Sequence, residues 1–375
     1  MLVVQPIHQK KEIAEFIDFV YDLYEGDPNF VPELFIAQRD HLDPKKNPFF
    51  DTARAQLFLA KDNGKVVGRI AAVRDDNMIA FTKEPIGVFG FFDVVNDYKV
   101  AEALLNAATD WIKKENLSIL EGPYNFSINH TCGLLIDGFQ FPPMVMMTYN
   151  KPYYQTFLEG YGLQKKVDLL AYHLDSKIFP ERLQQSAKLL ESRLVSKGIT
   201  VRKISLKNFV NDVKSTVHVY NQAWSKNFGY TPMSEKEFLH AAKDMKMIMD
   251  PELVLLAEKD GQVIGFSLTL PDINEVQIKI KRGRLLPFGI FKLLLNKSKI
   301  KRVRVIALGV MEDFRRLGLD AYFYIRAFQY IRQHPFLDTG EASWILEHNP
   351  EMNQALLKMG GYVQKRYRLY RKLIS

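Results

Sequence analysis

Apolar and polar residues are arranged along this chain with a period that changes from segment to segment. Short apolar runs such as 3–6 and 303–310 predict β-strands, whereas stretches with apolar residues three or four positions apart, such as 100–114 and 321–333, predict helices. An Asn-Gly turn divides 57–70 into the two strands of a hairpin. Strands that alternate with helices predict an α/β fold (α+β mixed sheet).

The hairpin pattern occurs twice in the sequence. LFLAKDNGKVVGRI from Leu57 and VLLAEKDGQVIGFS from Val254 share Ala, Gly, Val and Gly at a constant offset of 197. NKPYYQTFLEGYG from Asn150 and NPEMNQALLKMGG from Asn349 match at an offset of 199. Two matches at nearly equal offsets predict two copies of one unit of roughly 175 residues.

The repeat also predicts the domain organisation. We expect an N-terminal domain over 1–176, a helical connector over 177–198 that stops at Gly198, and a C-terminal domain over 199–375.

A short loop between the strand 303–310 and the helix 321–333 contains Arg315, Arg316 and Gly318. A helix N-terminus carries unpaired N–H groups and a partial positive charge, and it binds anions readily. Arginines, together with a glycine that allows close approach of the backbone, favour a phosphate or pyrophosphate ligand. In the first copy Asn96-Asp97-Tyr98-Lys99 leads directly into the helix, so this site is expected in the second copy alone.

The loop sequence Arg315-Arg316-Leu317-Gly318-Leu319-Asp320 resembles the Q/R-x-x-G-x-G/A loop of GCN5-related N-acetyltransferases (GNAT), with Asp320 at a usual Gly or Ala position. The segment from Asn349 to Tyr362 resembles that family's N-x-x-A-x-x-L-Y-x-x-x-G-F element. The resemblance implies a tandem acyl-CoA N-acyltransferase (GNAT) fold, with a first copy that lacks the loop. It implies acetyl-CoA or another acyl-CoA as co-substrate, and no metal.

The resemblance also implies which residues hold the co-substrate. They are Leu308, Gly309, Val310, Arg315, Arg316, Leu317, Gly318, Leu319, Asp320 and Asn349. Asp320 is further expected to cap the helix, as Asp commonly does at a helix N-terminus.

Transfer to an amine needs a base, because an alkylammonium must lose a proton before it attacks a thioester. Glu347, at the end of the predicted strand 343–347, is our candidate, and Glu341 and Glu275 are further carboxylates near strand ends. The resemblance places a tyrosine acid at position 356, where this chain has Leu356.

Candidate acceptor-binding residues lie in both copies. Tyr124, Asn125, Asn129 and His130 cluster in a loop-like stretch of the first copy, where they would either line a pocket or satisfy turns. In the second copy, Trp224 and the segment 227–230 would either line the pocket or pack in the core.

Composition limits the remaining possibilities. The chain has 375 residues, 47% of them hydrophobic, and one cysteine, Cys132, which excludes an internal disulfide and a thiolate zinc cluster. The N-terminal segment has no pattern of a signal peptide, and a cytoplasmic protein is expected. The acceptor is expected to be a small-molecule or peptide amine, and the chain a monomer or homodimer.

The net charge of +8 comes from one segment, since 279–304 holds ten of the 51 Lys and Arg and no acid. Its RLLPFGIFKLLLNK stretch would serve either an anionic membrane surface or an acidic carrier protein, or its apolar side would pack on the fold. Nucleic acid is a poor fit, because aromatic residues are not interleaved with the cations.

The sequence thus favours an N-acetyltransferase that transfers an acyl group directly from acyl-CoA to an amine. Two alternatives stay open: a Fem-type aminoacyl-tRNA-dependent transferase, and a non-catalytic protein that binds CoA or an acyl carrier.

Overall fold

The computed structural model describes residues 1–178, 180–225 and 229–374, and it confirms the predicted α/β fold with a mixed sheet. The elements of the first half, in chain order, are β1 (Leu2–Ile7), α1 (Lys10–Leu23), α2 (Phe35–His41), β2 (Ala53–Asp62), β3 (Lys65–Asp75), α3 (Asp76–Thr82), β4 (Ile86–Val94), α4 (Tyr98–Lys114), β5 (Ile119–Gly122), β6 (Tyr124–Asn125), β7 (Thr131–Cys132), β8 (Leu134–Asp137), α5 (Tyr154–Gly160) and β9 (Gln164–Asp175).

The elements of the second half are α6 (Glu181–Ser196), β10 (Ile199–Lys203), α7 (Phe209–Trp224), α8 (Glu235–Lys246), β11 (Val254–Lys259), β12 (Gln262–Pro271), α9 (Asn274–Gln277), α10 (Gly289–Asn296), β13 (Arg302–Val310), α11 (Leu319–Gln333), β14 (Thr339–Leu346), α12 (Pro350–Lys358) and β15 (Tyr362–Leu373).

The chain divides into two compact units. Unit 1 comprises Met1–Leu170, Val276–Leu294 and Lys365–Ser375, and unit 2 comprises Ala171–Glu275 and Leu295–Gln364. Each unit therefore combines segments that are distant in sequence. The domain boundaries drawn from the repeat stay a prediction, because they rest on sequence similarity, whereas these units rest on contacts.

In unit 1, strands β1 to β4 pair antiparallel in that order, β4 pairs parallel with β5, and β5 pairs antiparallel with β15. Helix α4 covers this sheet with Val100, Leu104, Ala108 and Ile112, which are buried and spaced four positions apart. That spacing places all four on one apolar stripe, and the stripe faces the main core of unit 1.

Unit 2 repeats this arrangement. Strands β10 to β13 pair antiparallel in order, and β13 pairs parallel with β14. The β2–β3 hairpin changes register between Ala60 and Lys61, and the β11–β12 hairpin changes register between Ala257 and Glu258. These two irregularities occupy the same position in the repeat. Because a bulge is a specific local feature of the backbone, the match confirms the internal repeat.

The helix predicted between the copies is present as α6. Gly198 follows its last turn with φ +73, a left-handed conformation that ends helices and favours glycine. Within unit 2, α6 packs against α11, and Leu190 contacts the cluster that contains Leu319.

A buried ion pair joins β3 and β4 in unit 1. Arg69 Nε lies 2.8 Å from Asp93 Oδ2, and the same guanidinium donates to the carbonyl of Phe16 at 3.0 Å. The hydroxyls of Tyr24 and Tyr154 donate to Asp93 Oδ1 at 3.3 and 3.5 Å. Both charges are therefore hydrogen-bonded, as buried charges must be.

Candidate functional site

In unit 2 the two parallel strands at the centre of the sheet separate. Strands β13 and β14 pair from Arg302 and Thr339 as far as Val305 and Ala342. Both strands continue, β13 to Val310 and β14 to Leu346, with no further pairing between them among the described residues. The facing edges of these two strand ends therefore lack strand-to-strand hydrogen bonds among the described residues, and we call this unpaired region the opening. An extended ligand could bind there.

The loop after β13 leads into helix α11, and the N-terminus of this helix lies at one end of the opening. Arg316 and Gly318 have φ of +65 and +87, and Gly318 is the N-cap of α11. The first intrahelical bond runs from Tyr322 N to Gly318 O at 2.9 Å, so the N–H groups of the preceding turn have no acceptor within the helix.

The first copy differs at this point. The N-cap of helix α4 is Asp97, whose side chain accepts a hydrogen bond from Lys99 N at 2.9 Å. At α11 no side chain caps the helix. The expectation that Asp320 is the cap is wrong, because Gly318 holds that position and Asp320 lies exposed in the first turn. The open N-terminus thus belongs to the second copy.

The two arginines of the loop are both exposed, and Arg315 also contacts the main chain. Arg315 donates to the carbonyl of Ala223 at 2.7 Å and to that of Val310 at 3.3 Å, so its guanidinium ties the loop to α7 and β13. Contact of Arg315 with the phosphates stays a prediction. Leu319 is buried in a core cluster of unit 2, so it can contribute only backbone groups to a ligand, and Leu317 is half-buried against the same cluster.

Successive residues of β13 direct their main-chain N–H and C=O groups alternately toward β12 and toward the opening. Met311 N donates to Ile264 O on β12 at 2.9 Å, so Gly309, two residues earlier, also directs its backbone groups toward β12. Leu308 and Val310 face the other side. Their carbonyls accept from Trp224 Nε1 at 3.4 Å and from Arg315 Nε. Their N–H groups therefore face the opening.

A cavity of about 180 Å³ lies between the start of α11 and helix α12. Asp320, Tyr324, Asn349 and Met352 are among its lining residues. Asn349 is the N-cap of α12 and accepts from Met352 N at 3.2 Å. Burial, and then the nearby Asp320 charge, raise the pKa of Tyr324 well above its usual value, so this hydroxyl stays a hydrogen-bond donor. Tyr324 was not predicted from the sequence, because it reads as one of several aromatic residues on a core helix.

Glu347 directly follows the end of β14, as predicted. The side chain of Asn353 holds this end, since its Nδ2 donates to the carbonyls of Leu346 at 3.0 Å and Glu347 at 3.3 Å. Tyr172 donates to Asn353 Oδ1 at 2.8 Å. Leu356, at the position of the expected tyrosine acid, is fully buried. Asn353 thus fixes the backbone at Glu347, and the role of Glu347 as a base stays a prediction.

Trp224 lies against β13, since a Cβ built on Gly309 would be 3.4 Å from its Nε1. Its ring also packs on Tyr220, with centroids 5.1 Å apart. In the neighbouring segment Tyr230 is buried in the core, and Asn227 and Phe228 lie outside the described residues.

In unit 1 the corresponding opening is filled by the chain itself. Strands β4 and β5 pair only as far as Val88 and Glu121, and β6 lies against the rest of β4. A Cβ on Gly90 would lie 1.7 Å from the carbonyl oxygen of Tyr124, and Phe91 N donates to Asn125 Oδ1 at 2.7 Å. No room is left there for an extended ligand.

Two of the predicted acceptor residues are therefore structural. Tyr124 is 2% exposed, and its hydroxyl donates to Glu121 Oε1 at 2.7 Å. Asn125 bonds Phe91 through its oxygen and Thr131 Oγ1 through its nitrogen at 3.0 Å. The expectation that these side chains face an acceptor is corrected, because their polar atoms hold the segment that fills the opening.

Asn129 and His130 lie in the same unit and are half-buried. Asn129 N donates to Ser127 Oγ at 3.2 Å, and His130 Nδ1 lies 2.9 Å from the same oxygen. The ring of His130 meets that of His41 edge-on at 4.8 Å. These two residues belong to unit 1, whereas the loop, Trp224 and Glu347 belong to unit 2.

Arg304 is a polar residue at the point where β13 and β14 separate. It is fully buried, its Nε donates to Ser343 Oγ at 2.6 Å, and its guanidinium lies 4.7 Å from the Trp344 ring centre. Glu341, its register partner on β14, is 3% exposed. Arg304 was predicted to belong to the basic surface segment. The flanking Val303 and Val305 were the available sign of a central strand.

Comparison with known proteins extends this description. No protein-family model matches the chain. Its structure is similar to that of a "Tandem GNAT protein from the clavulanic acid biosynthesis pathway (without AcCoA)", with a TM-score of 0.58 and 12% identity over 100% of this chain and 98% of that one. It is also similar to a GCN5-related N-acetyltransferase from Sphaerobacter thermophilus, with a TM-score of 0.53 and 14% identity over 99% and 95% of the two chains. The fold is that of tandem GCN5-related N-acetyltransferases.

Two full-length relatives are much closer in sequence. Protein YghO of Escherichia coli (strain K12) is 36% identical over 379 aligned positions, which cover 99% of this chain and 95% of the relative. A bacterial ceramide synthase of Caulobacter vibrioides (strain NA1000 / CB15N) is 35% identical over 384 positions, covering 100% and 98%. The chain belongs to the family of these two proteins. In the part of the chain that the structure describes, no helix has the length and apolar character that crossing a bilayer requires.

Proposed function

We propose that this protein is an acyl-CoA-dependent N-acyltransferase whose single co-substrate site lies in the second copy. The observation that carries the proposal is the opening between β13 and β14, which ends at the uncapped N-terminus of α11. An extended thioester with a pyrophosphate near one end matches an extended opening that ends in N–H donors. The filled opening of the first copy supports one site per chain.

The pyrophosphate would be held by the N–H groups of the first turn of α11 and by the exposed Arg316. Arg315 contributes indirectly, because it fixes the loop that presents those groups. The N–H groups of Leu308 and Val310 would bind the pantetheine arm. Asn349 and Tyr324 line the adjoining cavity and offer polar groups to the same ligand.

The reaction joins the acceptor nitrogen to the acyl carbon as the carbon–sulfur bond breaks. The amine must first be neutral, and Glu347, directly or through water, would accept its proton. The leaving thiolate takes up a proton, so the products are an amide and a free thiol. Amide N–H groups on β13 would stabilise negative charge on the carbonyl oxygen.

The acceptor class is suggested by the relative named bacterial ceramide synthase, which is 35% identical over the full length. A ceramide is an N-acylated long-chain amino alcohol. We therefore infer a long-chain amino alcohol as acceptor and a fatty acyl-CoA as donor, in place of the acetyl group favoured by the sequence alone.

A second candidate function has one observation in its favour. The buried Leu356 leaves the expected acid position without a hydroxyl, as in a protein that binds acyl-CoA without transferring the acyl group. Such a protein would show ligand binding and no turnover, so the same experiment separates the two functions.

The test is incubation of the purified chain with acyl-CoA donors from acetyl to stearoyl and with sphinganine, a long-chain amino alcohol, followed by mass spectrometry of the amide. We expect N-acyl sphinganine from long-chain donors. Glu347→Gln should lower its rate about a hundredfold or more, since a removed general base costs about two to four orders of magnitude. Glu181→Gln, an exposed carboxylate in the first turn of α6, is the matched control. Thermal stabilisation by acyl-CoA with no amide from any donor would support the binding protein instead.

A further inference from the structure

An exposed apolar segment precedes β13. It consists of α10 and the turn before that helix. Five of its side chains are large, apolar and between 59% and 78% exposed: Leu286, Phe288, Phe291, Leu294 and Leu295. The alternative that this stretch packs its apolar side on the fold is wrong for these five side chains, because they are exposed. A concentration of such residues within ten positions of one segment marks an interaction surface.

The start of this segment is anchored within unit 1. Arg282 forms ion pairs with Asp18 and Asp22 of α1, and Arg284 donates to Asp18 at 2.8 Å. The Arg284 guanidinium also lies 3.4 Å from the ring centre of Phe35 on α2. The apolar residues that follow are therefore presented from a fixed base.

Exposed lysines flank the apolar residues on both sides. They are Lys279, Lys281, Lys292, Lys299 and Lys301, and no Asp or Glu occurs between 279 and 304. The four arginines of the segment add little to this surface, because Arg282 and Arg284 are paired with acids of α1, Arg302 is paired with Asp272 at 2.7 Å, and Arg304 is buried. The remaining positive charge comes from the lysines.

We propose that the segment 279–301 docks the protein on an anionic lipid bilayer. The five apolar side chains enter the boundary between headgroups and acyl chains, and the lysines contact anionic headgroups. A bilayer suits this surface better than a protein partner does, because Lys292 is the single polar side chain from 286 to 295. A protein interface would need hydrogen-bonding groups there, whereas hydrocarbon needs none. The proposal does not depend on the acyltransferase function.

The test is co-sedimentation of the full chain with vesicles of phosphatidylcholine and phosphatidylglycerol, and with vesicles of phosphatidylcholine alone. We expect binding to the anionic vesicles that weakens as salt rises. Phe288→Ala/Phe291→Ala should lower the partition coefficient by roughly 30-fold or more, since two large apolar side chains are lost. Lys281→Gln should lower it about fivefold.

Matched controls come from elsewhere on the surface. Leu189→Ala removes a side chain of α6 that is 74% exposed, and Lys65→Gln removes an exposed lysine; neither should change binding. An unchanged melting temperature will show that each variant is folded. The proposal is overturned if the wild type does not sediment with anionic vesicles, or if the Phe288/Phe291 variant sediments equally well. The proposal would also be overturned if the wild type does not bind vesicles but forms a dimer or a complex with an acidic carrier protein, and if the Phe288/Phe291 variant loses that complex.

Discussion

Gly318→Ala tests the loop at α11 most sharply. Gly318 has φ +87, a region that costs an alanine roughly 1–2 kcal/mol, and the reduced entropy of the unfolded chain offsets about 0.4–1 kcal/mol of this. The new Cβ would lie 2.8 Å from Leu190 Cδ2, the flexible end of a side chain that can move. We expect a net loss of about 1 kcal/mol in the free energy of unfolding.

The matched control is Gly261→Ala, in the β11–β12 turn of the same unit. Gly261 has φ +77, and a Cβ there would have no heavy atom within 4 Å. Both variants should therefore lose similar stability in urea denaturation. Only Gly318→Ala should weaken CoA binding, by tenfold or more in isothermal titration calorimetry, because it displaces the first-turn N–H groups. Equal CoA affinity of the two variants would refute the assignment of the loop as the pyrophosphate site.

Three further predictions concern single side chains. Arg316→Ala should weaken CoA binding about tenfold in calorimetry and change the free energy of unfolding by no more than about 0.5 kcal/mol. Arg315→Ala should lower the free energy of unfolding by about 1 kcal/mol in urea denaturation, because its hydrogen bonds to two carbonyls are lost. The reverse pattern would contradict the roles given to the two arginines. The hydrogen bond from Arg371 holds the pKa of Glu84 below its usual value. The Arg371–Glu84 pair therefore stabilises the fold fully above the usual carboxyl pKa, and this stabilisation is lost as the pH falls through the lowered pKa of Glu84. Melting temperatures of wild type and Glu84→Gln should converge below about pH 4, and a constant difference down to pH 2 would argue against this pair. Asp93→Asn leaves the buried arginine partner without its counter-charge and should cost about 3–5 kcal/mol in denaturant unfolding; a loss under about 1 kcal/mol would show that the pair is solvated.

Much of the fold could be predicted from the sequence because the repeated hairpin carries a strong local signal. The Asn-Gly and Asp-Gly turns and the matched glycines specify the same hairpin twice, and even the bulge recurs at the same position. The helices after β4 and β13 could be placed for a similar reason, since their apolar spacing is regular. These features depend on neighbouring residues, which a single sequence displays directly.

The site could be predicted less well, because its details depend on contacts between distant residues. Nothing in the loop sequence shows that Arg315 bonds the carbonyls of Ala223 and Val310. Tyr124 and Asn125 look like pocket residues by composition, yet they fill the opening of the first copy. Arg304 looks like a surface cation until its strand is placed at the centre of a sheet covered on both faces.

The central claim is that one acyl-CoA binds per chain, in the second copy. Calorimetric titration of the purified chain with a non-hydrolysable thioether analogue of palmitoyl-CoA tests it most directly. We predict a stoichiometry of one, with affinity lost in the double variant Arg316→Ala/Gly318→Ala and retained in Gly64→Ala, at the hairpin turn of the first copy. A stoichiometry of two, or binding that survives in the double variant, would contradict the claim.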